Sequence, residues 1–333
     1  MALKVSIIVP AKDEEDKIER CLRTLQAQSM DRVDYEVILV DDGSTDQTAE
    51  VARSLSVQVL SQANRGPASA RNAGAQQAEG AILLFTDADC EADPDFAARM
   101  YRALRDPQVA GAMGAYRSRQ TKLIPRFVQQ EFAFKQKRME ALETINAVHT
   151  YAAAYRRDVF ISNGGFDESY PVPSNEDQEF SYRLVEAGHR LVYVPEAIVY
   201  HLHDRNLRAY IRRKYLLGYW KAYTISKHRA RLRGDTHTPF TQMLQILLMG
   251  AIFLLGVIGI LLPPIALLIP VLFVALLLTG VPLFRSVFYQ DRKILWLVPG
   301  MLLIRAGAQA LGLGVGGAVL LFLGGRGFHR PKG

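Results

Sequence analysis

Apolar residues in the first part of the chain come in short, nearly unbroken runs: Val5–Val9, Tyr35–Val40, Val57–Leu60 and Ala81–Phe85. Between them lie stretches with helical spacing, Glu14–Gln28, about Thr45 to Leu55 after a cap-like Ser44-Thr45-Asp46, and Ala68–Ala78. Runs that are apolar on both faces suit strands buried on both sides. Strands alternating with helices therefore predict an α/β, Rossmann-like fold on a mostly parallel sheet. Further on, 95–105 and Phe180–Ala187 read as helical, and Leu191–Val194 and Ala197–Tyr200 as less regular strands.

Beyond His203 the period changes. Leu207, Ile211, Tyr215, Tyr219 and Tyr223 recur every four residues, with Arg205, Arg208, Arg212, Arg213 and Lys214 on the flanks. This predicts an amphipathic basic helix, suited to a lipid headgroup layer or to packing on its own domain. Met243–Leu262 and Ile265–Phe284 carry no charge, and each has the length of about 20 residues that a membrane span needs. Pro263-Pro264 predicts the turn between them. Arg285, Arg292 and Lys293 mark a cytoplasmic loop by their positive charge. Ile294–Gly325, interrupted only by Arg305, reads as one long tilted span, an interfacial helix plus a span, or a tight pair. The basic tail (Arg326, Arg330, Lys332) favours an even number of crossings.

Charge sharpens this division. Residues 1–204 hold 23 basic against 31 acidic side chains, 205–233 hold 10 and none, and 234–333 hold 7 and 2. The positive segment directly precedes the apolar stretch, so membrane phosphates rather than nucleic acid are the expected partner. Two cysteines are too few for a disulfide framework and fit a reducing compartment. Met1–Lys4 lead straight into the first strand, and no signal peptide is expected.

Candidate chemistry gathers at the ends of the strands, where open α/β sheets bind ligands. Asp87-Ala88-Asp89 follows the fourth run, and alternation along a strand would point both carboxylates one way. Such a pair suits a hard divalent cation, or equally a turn or cap. Asp41-Asp42 ends the second run, where a carboxylate can accept from a nucleoside or cap a helix. Asn64-Arg65-Gly66-Pro67 opens a helix bearing Arg71, which can pair with a phosphate or with an acidic strand end. Asn163-Gly164-Gly165-Phe166-Asp167 suits close backbone approach to a sugar. Asp177, near a helix start, is either a favourable terminal charge or a general base.

Val5-Ser6-Ile7-Ile8-Val9-Pro10, Val40-Asp41-Asp42-Gly43-Ser44-Thr45-Asp46, Ala70-Arg71-Asn72-x-Gly74, Asp87-Ala88-Asp89, Gly164-Gly165-Phe166-Asp167-Glu168 and Glu176-Asp177 occur in this order. Together they resemble the family 2 glycosyltransferases of the GT-A fold, over roughly residues 4–205. The resemblance implies inverting transfer from a nucleotide-sugar donor, with Mg²⁺ or Mn²⁺ on the diphosphate. It implies that Pro10, Ala11, Asp42, Arg71 and Asp87 hold the nucleotide, with Asp87 facing ribose and metal. Asp89 would be the metal ligand, and His201 a further ligand or a structural histidine. Asp177, beside Glu176, would be the catalytic base, and Gly164, Gly165 and Asp167 would form the acceptor and sugar loop.

Two departures narrow the expectation. Cys90-Glu91 follows the Asp-x-Asp where polyprenyl-phosphate sugar synthases usually carry Leu-Gln. The Gln-x-x-Arg-Trp motif of processive synthases is absent, which favours one sugar per encounter. The basic helix and apolar carboxyl-terminal segments are similar to the succinoglycan-assembly type of glycosyltransferase, which extends a lipid-linked acceptor at the cytoplasmic leaflet. The expected organisation is a GT-A domain over 1–204, a basic juxtamembrane region over 205–240, transmembrane helices over 241–325 and a basic tail over 326–333. The competing expectations are a polyprenyl-phosphate glycosyltransferase and a non-catalytic GT-A scaffold. A nucleotidylyltransferase fits poorly, because the first loop is acidic (Asp13, Glu14, Glu15, Asp16).

Overall fold

The computed structural model describes residues 4–31, 34–170, 172–228 and 235–323. The chain divides into two units, Met1–Arg119 with Arg138–Leu202, and Gln120–Lys137 with His203–His329. The basic tail and Arg229, Arg231 and Arg233 lie outside the described residues.

In the first unit the four apolar runs are strands β1 (Val5–Ala11), β2 (Tyr35–Asp41), β3 (Gln58–Ser61) and β4 (Ile82–Phe85). Helices α1 (Glu15–Gln26), α2 (Thr48–Ser54) and α3 (Pro67–Gln77) connect them. Side chains of β1 from Val5 to Val9 and all four of β4 are buried, as a sheet covered on both faces requires. Helix α3 lies unusually close to the sheet, since a Cβ on Gly74 would stand 2.5 Å from Ile8 Cγ2. Helix α2 starts later than its cap-like residues suggest. Those residues are engaged elsewhere: Thr45 N donates to Asp13 Oδ1 (2.8 Å), Asp13 N to Ser44 Oγ (3.1 Å) and Glu15 N to Asp46 Oδ2 (3.1 Å).

The sheet continues through β5 (Cys90–Ala92), α4 (Phe96–Ala103) and β6 (Val109–Arg117). Helix α5 (Leu123–Met139) leads out of it, and β7 (Ala153–Arg156), α6 (Arg157–Ser162), α7 (Glu176–Glu186) and β8 (Arg190–His201) complete it. The strand order is β3-β2-β1-β4-β7-β6-β8-β5, in which β7 and β5 run against the rest. The two expected strands at 191–200 are one strand whose register slips opposite Gly114/Ala115. Pro195, which has no N–H to give the ladder, sits at the slip. Phe85, Tyr155, Phe160, Phe166 and Phe180 form one buried aromatic cluster, with Phe160 and Phe180 centroids 4.9 Å apart.

The second unit is helical: α8 (Leu207–Lys227), α9 (Phe240–Leu261), α10 (Pro263–Ala266), α11 (Leu268–Thr279), α12 (Val281–Gln290) and α13 (Val298–Leu323), with α5 as far as Lys137. Phe240–Leu261 and Arg292–Phe322 are long and apolar enough to cross a bilayer, with mean hydropathies of 2.6 and 1.6. The apolar segment Ile265–Phe284 is not one straight span. Pro263–Thr279 and Val281–Gln290 meet at 44°, because Gly280 weakens the helix and Pro282 cannot donate into the preceding turn. The segment after Ile294 is a short 3₁₀ turn followed by one continuous helix, not a tight pair.

Helix α8 is packed along α13. A Cβ on Gly312 would stand 2.1 Å from Tyr215 O, on Gly316 2.3 Å from Tyr219 O, and on Gly218 2.3 Å from Gln309 O. Small residues four apart let two helix backbones touch in this way. The basic flank is also partly internal: Lys214 and Lys221 are buried, beside Glu131 and Asp235.

Candidate active site

Strand β4 ends at Phe85, so Asp87 and Asp89 stand in the turn beyond it rather than on its pleat. Cys90 N closes that turn on Asp87 O at 3.0 Å. Strand β5 then pairs with β8 so that Cys90 faces His201. This register, not alternation along one strand, brings the carboxylates and the imidazole together. His201 Nε2 lies 3.0 Å from Asp89 Oδ1, and the ring sits 4.8 Å from that of Tyr116. One donor atom each of Asp87, Cys90 and His201 fall within 4.8 Å of one another. Burial tends to raise the Asp89 carboxyl, but its hydrogen bond with His201 prevails and holds it below the ordinary value.

Arg71 joins this cluster to the next. Its guanidinium is buried and donates to Asp87 Oδ1 at 2.7 Å and Glu176 Oε1 at 3.0 Å. Of the two readings left open by the sequence, the structure shows pairing with acidic side chains. Glu176 is also buried and accepts from Ser174 N at 2.8 Å. Burial and the adjacent Asp177 push its carboxyl above the usual range, against the pull of Arg71.

Asp177 is nine-tenths buried at the start of α7. Its Oδ2 lies 3.0 Å from His149 Nδ1 and 3.3 Å from Thr150 N, while Oδ1 accepts from Gln178 N at 2.7 Å. His149 had no motif to announce it. It precedes β7 in an irregular stretch and reaches Asp177 only because β7 inserts beside β4.

The residues that the resemblance assigns to the nucleotide stand at the same sheet edge. Pro10 and Ala11 end β1 beside Val40 and Asp41. Asp42 is buried and accepts from Gln62 Nε2 (2.7 Å), Arg65 N (2.8 Å) and Gly66 N (2.8 Å), which fixes the loop ahead of α3. The Gly164-Gly165 loop is bound to α3 by Asn72. Asn72 Nδ2 donates to Phe166 O at 2.8 Å, and Phe166 N donates to Asn72 Oδ1 at 2.9 Å. Gly165 has φ +62°, and a Cβ there would stand 2.6 Å from Asn72 Oδ1. Arg183 of α7 supports the loop from below through Gly165 O at 2.6 Å. Asp167 Oδ1 accepts from Ser169 N at 2.9 Å and so shapes its own turn. Gly164, with φ +77°, faces open space.

Among the described residues the donor atoms that converge are those of Asp87, Cys90 and His201, with Asp89 in contact with His201; a carboxylate and an imidazole suit Mn²⁺ or Mg²⁺. Cys90 fits less well. Its thiol is buried and pushed well above its ordinary pKa, chiefly by burial and then by Asp87 and Asp89. A protonated sulfur is a poor partner for a hard ion.

A parallel-dominated sheet with an acidic, histidine-bearing edge defines a GT-A type domain. Residues 6–164 match the family described as Glycosyl transferase family 2. It is 27% identical over 203 residues to the glycosyltransferase AglE of Haloferax volcanii, covering 59% of this chain and 66% of that protein. It is 30% identical over 217 residues to the uncharacterized glycosyltransferase EpsJ of Bacillus subtilis, covering 61% and 62%. The chain thus spans less than two thirds of the length of these relatives. In fold it is similar to a mannosyltransferase from Pyrobaculum calidifontis solved with GDP-Man and Mn²⁺, with a TM-score of 0.59 and 21% identity over 93% of this chain and 88% of that one.

Proposed function

We propose that the chain is an inverting, non-processive glycosyltransferase that moves a sugar from a nucleotide-sugar donor, a UDP-sugar, to a lipid-linked acceptor. The observation that carries this reading is the placement of Arg71. One buried guanidinium binds Asp87 on the metal side and Glu176 on the base side, so both carboxylate groups belong to a single site. Pro10, Ala11 and Asp42 cradle the nucleoside at the end of the sheet, and Asp87, Asp89 and His201 hold Mg²⁺ or Mn²⁺. The ion supplies positive charge to the departing diphosphate. Asp177, oriented by His149 and Thr150, takes the proton of the acceptor hydroxyl as its oxygen attacks the anomeric carbon. Gly164, Gly165 and Asp167 present backbone to the sugar, and Asn72 fixes how far that loop extends.

Two long apolar helices and the basic α8 favour an integral membrane protein with its catalytic domain, residues 1–204, on the cytoplasmic side. Residues 205–240 then lie at the headgroups, 241–325 form the membrane part, and 326–333 are a basic tail. In this setting the acceptor is lipid-borne, and the product enters surface polysaccharide or glycolipid synthesis.

The test is transfer of radiolabelled sugar from nucleotide sugars to membrane lipid extracts by purified protein. Wild type is expected to transfer and Asp89→Ala to be inactive. Equal behaviour of the two proteins would instead support a non-catalytic scaffold. Offering bare polyprenyl phosphate beside a polyprenyl-diphosphate sugar separates the second reading, a polyprenyl-phosphate glycosyltransferase, from the first. Cys90-Glu91 favours the diphosphate-linked sugar.

A further inference from the structure

The sheet edge of the candidate active site carries a sulfur for which a Mg²⁺ or Mn²⁺ site has no use. Strands β5 and β8 pair antiparallel, with Cys90 directly opposite His201. Residues paired in this way present their side chains on one face, with Cβ atoms about 4.5–5.5 Å apart. Cys90 N also closes the turn on Asp87 O at 3.0 Å, which folds Asp87 back toward the same pair. One donor atom from each of Asp87, Cys90 and His201 therefore lies within 4.8 Å of the other two. Arg71 occupies Asp87 Oδ1, while Oδ2 accepts no hydrogen bond among the described residues. Cys21 of α1 comes near as well, with Sγ 3.6 Å from Asp87 O, but it is not part of the group.

A carboxylate, a thiol and an imidazole are ligand types for Zn²⁺ rather than for Mg²⁺ or Mn²⁺. Ligand atoms of a tetrahedral Zn²⁺ stand roughly 3.3–3.7 Å apart, so side-chain movements of about 1 Å gather these three. Three protein ligands leave one position open, unlike the closed shell of a structural zinc. Cys90 is 1% exposed and the Asp87 side chain 32%, so the sulfur sits at the inner end of the group and the carboxylate at its solvent side. Binding displaces the thiol proton to water.

We propose that Asp87, Cys90 and His201 form a centre for a thiophilic divalent cation, Zn²⁺ foremost, at the edge where the transferase reading places Mg²⁺ or Mn²⁺. An ion held through Cys90 Sγ withholds Asp87 and His201 from the harder ion, so the two kinds of cation exclude one another. The centre shares two residues with that reading and is tested without sugar transfer, so either can fail alone.

The experiment is optical titration of the metal-free, full-length protein with Co²⁺, which takes zinc positions and absorbs through sulfur-to-metal charge transfer. Wild type and Cys21→Ser are expected to develop this near-ultraviolet band, and Cys90→Ser and His201→Gln to lack it. Zn²⁺ at the Co²⁺ concentration should abolish the wild-type band, whereas the same concentration of Mn²⁺ should leave it. Where Cys90→Ser does not fold, His201→Gln and the contrast between Zn²⁺ and Mn²⁺ decide. No band in the wild type, a band that survives in Cys90→Ser or His201→Gln, its loss in folded Cys21→Ser, or equal displacement by the two ions would overturn the proposal.

Discussion

Nδ1 of His149 lies 3.0 Å from Oδ2 of Asp177, within a pocket that leaves the carboxylate less than a tenth exposed. This contact fixes which way the proposed base presents its remaining lone pairs. Asp177→Asn should lower transfer by about 10²–10⁴-fold, the usual worth of general base catalysis, with donor binding retained. His149→Ala should lower kcat more than it changes KM, since it frees the base to rotate without touching the donor. Steady-state kinetics beside donor titration checks both. A variant that loses donor binding and kcat together would mark a structural role instead.

Asp89 links the site to acid stability. Its folded pKa lies below the ordinary value, so the charged form is favoured on folding. The stabilisation is present above the unfolded pKa of about 3.9 and is lost as pH falls through the lower folded value. Wild type should therefore exceed Asp89→Asn in stability at pH 6, and the gap should close in strong acid. Denaturant titrations across that range in a chelator provide the measurement.

The same carboxylate governs ligand response. A nucleoside diphosphate with Mn²⁺ at 100 times its dissociation constant should stabilise the wild type by about 2.7 kcal/mol. Asp89→Ala and Asp87→Asn should abolish the Mn²⁺-dependent part of the shift. Thermal unfolding with and without the ion reads this directly.

Asn72 and Gly165 should behave as a coupled pair. Asn72→Ala removes both hydrogen bonds to the Phe166 backbone and strands buried polar groups, at a cost of about 1–3 kcal/mol. Gly165→Ala should cost more, because it adds strain at φ +62° to the clash with Asn72 Oδ1. The double variant should be more stable than the sum of the two losses, and a double-mutant cycle in denaturant measures the difference.

The α8–α13 seam can be tested with an internal control. Gly312→Leu forces the helices apart, since even a Cβ would meet Tyr215 O at 2.1 Å, whereas nothing lies within 4 Å of a Cβ on Gly314. Tm in detergent should fall for Gly312→Leu and hold for Gly314→Ala. Equal effects would show that the seam contributes nothing specific.

The sequence exposes those parts of the fold whose residues are locally consistent. Strands β1, β2 and β4 are rich in Ile, Leu and Val, and the motifs stand at their ends. Strand β6 reads Val-Ala-Gly-Ala-Met-Gly-Ala-Tyr-Arg, and β7 reads Ala-Ala-Tyr-Arg. Alanine and glycine favour no strand, so only tertiary pairing makes them extended. The candidate site follows the same division. Asp87, Asp89 and Asp177 carry a recognisable spacing. His149, Asn72 as a clamp and Arg71 as a bridge depend on contacts across long sequence separations. Alternation along a strand does not place Asp87 and Asp89, which stand in a turn, and it is the β5–β8 register that sets Asp89 against His201.

The fit between Gly218 and Gln309, and between Gly312 and Tyr215, also bears on the order in which these helices are made. Every residue of the candidate active site precedes α8 in the chain, while the helix that α8 is shaped to receive comes last. Throughout synthesis of α9 to α12 the backbone groove of α8 has no occupant. The residues of the candidate site are therefore synthesised before the helix that completes the α8 seam. A chain ended before Val298 would carry every residue of the candidate site and lack the helix that packs on α8.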